Sequence, residues 1–219
     1  MILLIIQYIF VIIEQGCENM NLKKVRKRTE YDAYKRSRSE SFELLNKNYC
    51  EKGATVLVGD SITEGYTHTE LFAEYTKSTG TPVYNRCISG DTSDRLLERL
   101  EKTVLNIKPK NMVLLIGTND LHAGADVDFV AENVEKIIEQ SKKRCKNINK
   151  QGRRNNKDIA LLNKKLKAVA EKQKTKFVDL TDKLSDKNGM FNADYTYDGL
   201  HANAKVYEIV TNAVLPLLK

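Results

Sequence analysis

The chain has 219 residues, 41% of them apolar and 30% charged, enough for one domain with a buried core plus an appendage and wrong for a disordered or collagen-like chain. Four cysteines (17, 50, 87, 145) form no Cys-x-x-Cys pair and the three histidines do not join them at metal-ligand spacing. This argues against a zinc module or a disulfide scaffold and for reduced thiols in a cytoplasm. The net charge of +7 is local: eight cations from Lys23 to Arg38 against Glu30 and Asp32 give +6, while residues 39–219 carry only +3, so the body does not read as nucleic-acid-binding.

The first thirteen residues, MILLIIQYIFVII, are apolar but end at Glu14, short of a membrane-spanning helix. They lack the cationic start and small-residue cleavage site of a signal peptide, and Ile-Glu-Gln-Gly before Cys17 is a poor lipidation box. Two readings stay open: an apolar extension 1–22 arising from a true start at Met20, or an anchor for export or membrane association. Residues 23–50 follow as a basic helical segment. Its charge run reads as a solvated helix face, with contact to an anionic lipid surface as the weaker alternative.

Residues 51–219 form the main domain, and from Thr55 they read as α/β. TVLVG (55–59) is a short apolar run ending at a turn, as in a buried parallel strand. A helical stretch through Leu71, Phe72 and Tyr75 precedes a second strand, PVYNRC (82–87). Asp91 or Thr92 then caps a helix with Leu96, Leu97, Leu100, Val104 and Leu105 on its core face. NMVLLIG (111–117) is the third strand. Residues 126–144 are an amphipathic helix through Phe129, Val130, Val134, Ile137 and Ile138.

Here the rhythm breaks. The alternation calls for a strand, but KKRCKNINKQGRRNNKD offers one isolated isoleucine before the next helix, which buries Ile159, Leu162, Leu166 and Val169. KFVDL (176–180) is the fourth expected strand, and a last helix closes the chain at about 202–218. Strands followed by helices imply a parallel sheet covered on both faces.

Ligands of such sheets bind beyond the carboxyl ends of the strands. Those ends carry Ser61 after the first strand, Gly90 after the second, Asn119 after the third and the pair Asp198 and His201 after the last. Each alone has a plain structural reading. Ser61 suits a helix cap, Gly90 a tight turn, Asn119 a bond to its own loop, and Asp198 and His201 the turn and cap before the last helix. Together they supply a nucleophile, donors and an acid–imidazole pair on one edge, the parts of an acyl-transfer site.

At this point four blocks, VLVGDSITEG (56–65), NRCISGDTSDRLLERL (85–100), VLLIGTNDL (113–121) and YDGLHANAKVYEIV (197–210), resemble those of the SGNH (GDSL) hydrolase family in order and spacing. The resemblance implies a three-layer αβα sandwich on a parallel, flavodoxin-like sheet, here lacking one of the usual five strands. It also implies a cofactor-independent esterase or lipase whose small-molecule ester is split through an acyl-enzyme. Its substrates would be short acyl esters of carbohydrates or lysophospholipid-like molecules. Ser61 would be the nucleophile, His201 its base and Asp198 the orienting acid. The Ser61 and Gly90 N–H groups with the Asn119 amide would hold the oxyanion. Thr63 breaks the G-x-S-x-G elbow of the α/β-hydrolases.

Cys87, Ala202 and Val206 depart from the family's Gly, Pro and Gly. The missing strand is the larger departure. Moving 176–180 inward by one strand shifts it about 4.8 Å, beyond the ~3 Å reach of a triad, although 181–197 is long enough to absorb the shift. A catalytically impaired relative serving as a binding module is therefore the alternative function.

Overall fold

The structure, a computed structural model, describes residues 2–4, 22–142, 156–187 and 189–218. The readings placed on Cys17, Met20 and residues 143–155 lie outside them. In chain order the elements are strand β1 (Ile2–Leu4), helix α1 (Leu22–Asn48), β2 (Thr55–Gly59), and three short helices α2 (Ser61–Glu64), α3 (His68–Leu71) and α4 (Ala73–Thr79). Then come β3 (Val83–Asn85), α5 (Ser93–Thr103), β4 (Asn111–Leu115), α6 (Thr118–His122) and α7 (Val127–Lys142). The chain finishes with α8 (Asn156–Lys172), α9 (Thr181–Leu184) and α10 (Ala204–Val214).

Among the described residues the strands form one parallel sheet in the order β1-β4-β2-β3. β2 and β4 are buried along their whole lengths, which is why both read as continuous apolar runs rather than alternating ones. Alternation then sorts their side chains to two faces. Val56, Val58, Met112 and Leu114 pack against Leu96 and Leu100 of α5, Val130 and Val134 of α7 and Leu162 and Leu166 of α8. Leu57, Val113 and Leu115 face the other way, onto Phe72, Tyr75 and the Val206–Val214 face of α10. The result is the expected αβα sandwich. Phe129 is 46% exposed, because it sits two residues from Val127 and so off the buried stripe of α7.

Two expectations about the sheet are corrected. KFVDL (176–180) forms no β-ladder. Its side chains still alternate, with Phe177 against one core cluster and Val178 and Leu180 against the other. The outer edge of β4 is instead paired by Ile2–Leu4, in register with Met112–Leu114. β4, the strand that 176–180 would pair with if moved inward, has β2 on one side and β1 on the other. The extreme amino end thus occupies the sheet position that the interrupted rhythm had left empty.

The chain runs from β2 to β3 on one side and then returns across to β4 on the other, so the order reverses around β2. That reversal opens a crevice at the carboxyl end of β2, where Ser61 begins α2. Gly59 makes the close approach possible: a Cβ there would lie 2.0 Å from the Leu115 carbonyl oxygen.

Candidate active site

Ser61 is the first residue of α2. The Asp60 carboxylate, fully buried, caps that helix by accepting from the Ile62 N–H at 3.1 Å, so the turn holding Ser61 is fixed from beneath. Of the two readings of Ser61, the cap is therefore Asp60.

His201 and Asp198 lie on a loop that an antiparallel bridge between Thr196 and Ala202 closes. Asp198 Oδ1 accepts from the N–H groups of Leu200 at 2.8 Å and His201 at 2.7 Å, and Gly199 turns the chain at φ 85°. Asp198 Oδ2 lies 2.5 Å from His201 Nδ1, and His201 Nε2 lies 3.2 Å from Ser61 Oγ. Burial pushes the Asp198 carboxyl up. The hydrogen bonds from the His201 ring and from the two backbone N–H groups, with the His201 charge, outweigh it and bring it down to about 2. An ionised Asp198 accepts from Nδ1–H, which leaves Nε2 as the acceptor for the serine hydroxyl. Tyr197 stacks on the imidazole with ring centroids 5.9 Å apart.

The loop is also tied across the molecule. Asn203 caps α10 through the Lys205 N–H, and one turn into that helix the Tyr207 hydroxyl donates to the Ile62 carbonyl at 2.8 Å. The Tyr66 hydroxyl donates to the Tyr207 carbonyl at 3.1 Å and meets the Thr211 hydroxyl. The segments carrying Ser61 and His201 are thus joined by their own tyrosines.

Gly90 is the third residue of a turn closed by the Asp91 N–H on the Ile88 carbonyl at 3.1 Å, and its φ of 68° suits glycine. The Asn119 side-chain amide donates to the Asp91 carbonyl at 3.0 Å. Asn119 thus reaches the turn at 90–91, the Ile88 N–H on the Gly59 carbonyl at 3.0 Å sets that turn beside the end of β2, and the 198–201 loop reaches Ser61.

The sequence profile of the GDSL-like lipase/acylhydrolase family matches residues 57–209. The chain belongs to this family. Such proteins are carboxylic ester hydrolases, and so is this one. No curated protein matches the chain in sequence. Among solved structures it is similar to a Streptococcus pneumonia protein provisionally described as a platelet activating factor, at 25% identity and a TM-score of 0.81, covering 91% of this chain and all of that one. It is also similar in fold to a GDSL-like lipase from Bacteroides thetaiotaomicron (23% identity, TM-score 0.70, covering 82% of this chain and 96% of that one). An acetyl xylan esterase shares the fold at 20% identity and a TM-score of 0.64, covering 75% of this chain and 100% of that one.

Within this GDSL framework the small departures are packing choices. Cys87 is fully buried, with burial pushing its thiol up, and Ala202 and Val206 join it in the core cluster under α10. Other side chains around the site were not singled out from the sequence. Asp120, two per cent exposed, caps α5 in place of Thr92: its carboxylate accepts from the Ser93 N–H at 2.8 Å and from the Ser93 hydroxyl. Glu64 accepts from the Ser89 N–H at 3.0 Å and from the Tyr34 hydroxyl at 2.7 Å. Asp120 and Glu64 both stand inside the quoted blocks, GTND and GDSITEG, which is the only signal that marked them.

The basic run on α1 partly turns inward. Lys35 and Arg38 pair with Asp91 and Glu64 rather than standing in solvent. No helix among the described residues is long and apolar enough to cross a membrane.

Proposed function

We propose that this GDSL acylhydrolase is a serine esterase working through Ser61, His201 and Asp198. The observation that carries the reading is the continuous chain of contacts Ser61 Oγ–His201 Nε2–Asp198, at 3.2 and 2.5 Å. In the first half-reaction Ser61 Oγ bonds to the ester carbonyl carbon while its proton passes to His201 Nε2. The tetrahedral adduct then collapses, the C–O bond to the alcohol breaks, and His201 returns the proton to the leaving oxygen. Water, deprotonated by His201, repeats the sequence on the acyl-enzyme and releases the acid. The Ser61 and Gly90 N–H groups and the Asn119 amide are the donors for the developing oxyanion, each worth roughly 3–4 kcal/mol of barrier in such sites.

The substrate class we favour is a short acyl ester, such as an acetyl group on a carbohydrate or a lysophospholipid-like alcohol. The His201 and Asp198 side chains are 28% and 39% exposed, so the scissile bond is reached from an open surface, which suits a small acyl group on a bulky alcohol. The 3.2 Å serine–imidazole separation speaks against the impaired binding module.

Hydrolysis of a chromogenic acetyl ester by wild type and Ser61→Ala tests the proposal. Turnover should fall at least ~10³-fold in the variant, since loss of a nucleophile removes the covalent route. Equal rates would refute it.

A further inference from the structure

The α1 helix lies beside the loop that carries Gly90, and three of its side chains on one face reach that loop or the residue that holds it. Tyr34 donates to Glu64 Oε1 at 2.7 Å, Arg38 pairs with the same oxygen at 3.3 Å, and Lys35 Nζ donates to the Gly90 carbonyl at 2.5 Å. Lys35 is only 9% exposed, and the Asp91 carboxylate lies 3.8 Å from its ammonium. Burying an ammonium is costly unless it is paired and hydrogen-bonded, so its placement on one backbone carbonyl is a specific feature.

The bonds fall in a pattern along the backbone. The Ser89 N–H is held by Glu64 Oε2 at 3.0 Å, the Gly90 carbonyl by Lys35, and the Asp91 carbonyl by the Asn119 amide at 3.0 Å. Arg99 Nε fixes the Asp91 carboxylate at 2.7 Å. The peptide that carries the Gly90 N–H lies between two that are pinned, and glycine at φ 68° is the residue with the most freedom to swing.

We propose that Lys35 is a positioning residue for the oxyanion site: it holds the peptide after Gly90 so that the Gly90 N–H keeps its aim at the reacting carbonyl. This rests on the reading of Gly90 as an oxyanion donor. It gives the amino-terminal basic helix a task in ester hydrolysis that lies outside the four sequence blocks. The contact acts on the tetrahedral oxyanion, not on ground-state ester binding, so kcat bears the loss rather than KM.

The test compares wild type, Lys35→Met and Ser61→Ala by steady-state kinetics on a short-chain chromogenic ester and by backbone amide hydrogen exchange. Lys35→Met should lower kcat about 10- to 100-fold, the scale of a misaimed group, with KM within about twofold. Exchange at 88–91 should rise at least about tenfold while the β2 and β4 amides stay protected. Unchanged exchange at 88–91 overturns the proposal whether or not the ester is turned over. So does a kcat within about twofold of wild type, or faster exchange throughout the chain. Lys35→Leu, which likewise removes the donor, is read by the same criteria if the methionine variant does not fold. Ser61→Ala as active as wild type would refute the reading of Ser61 alone, and the exchange measurement would still decide Lys35.

Discussion

Ser61 follows a strand whose five residues are all buried and paired with β4, three of them with β3 as well, whereas Asp198 and His201 occupy a half-exposed loop with no strand among the described residues just before it. The first position is set by the sheet: the β2 ladders, the Gly59 approach and the Asp60 cap leave Ser61 little choice. The second is set by short-range bonds. The Thr196–Ala202 bridge and the N–H groups on Asp198 shape the loop, and Tyr207 and Tyr66 moor α10 to the segment after Ser61. This division explains how the loop can lose the strand before it and still bring His201 to 3.2 Å from Ser61. Its anchors are α10 and the β2 loop, neither of which depends on a ladder at 176–180.

The largest effect expected from breaking this comparison lies on the sheet side. Asp120→Ala removes the acceptor of the buried Ser93 N–H and the partner of its hydroxyl, and should cost about 1–3 kcal/mol of stability. A lower urea midpoint with an unchanged slope is the expected result, and an unchanged midpoint would mean that α5 needs no such cap. On the loop side, Tyr207→Phe leaves the Ile62 carbonyl without its hydroxyl donor. A single hydrogen bond of this kind is worth about 1 kcal/mol. If the tyrosine tether positions His201, kcat should drop several-fold at saturating ester; a loss of stability with kcat intact would make it a packing contact only.

Legibility from the sequence follows the same division. Ser61, Gly90 and Asn119 stand at strand ends, and the strands announced themselves as apolar runs. Asp198 and His201 are three residues apart and their mutual contact is local. What stayed hidden is non-local. The residues of KFVDL have strand composition, but composition does not say whether an edge is open, and β1 had taken it. Ile2–Leu4 gave no sign of a partner over a hundred residues away. Lys35 read as one more cation on a solvated helix face, because its contact with Gly90 spans 55 residues and joins a helix to a loop in different parts of the chain.

The smallest effect concerns the charge on Asp198. Its folded-state value near 2 lies below the ~3.9 of an unfolded aspartate. A depressed carboxylate stabilises the fold above about pH 4, and that contribution is lost as pH falls from about 4 toward 2. Asp198→Asn should therefore melt below wild type at pH 7, with the gap closing near pH 2. The other carboxyl groups titrate alike in both proteins, so the difference isolates this one. The gap itself should be modest, since the side chain is 39% exposed and water screens it. No gap at either pH would assign the loop's order to the two N–H bonds on Oδ1, which asparagine keeps, and not to the carboxylate's bond with the His201 ring.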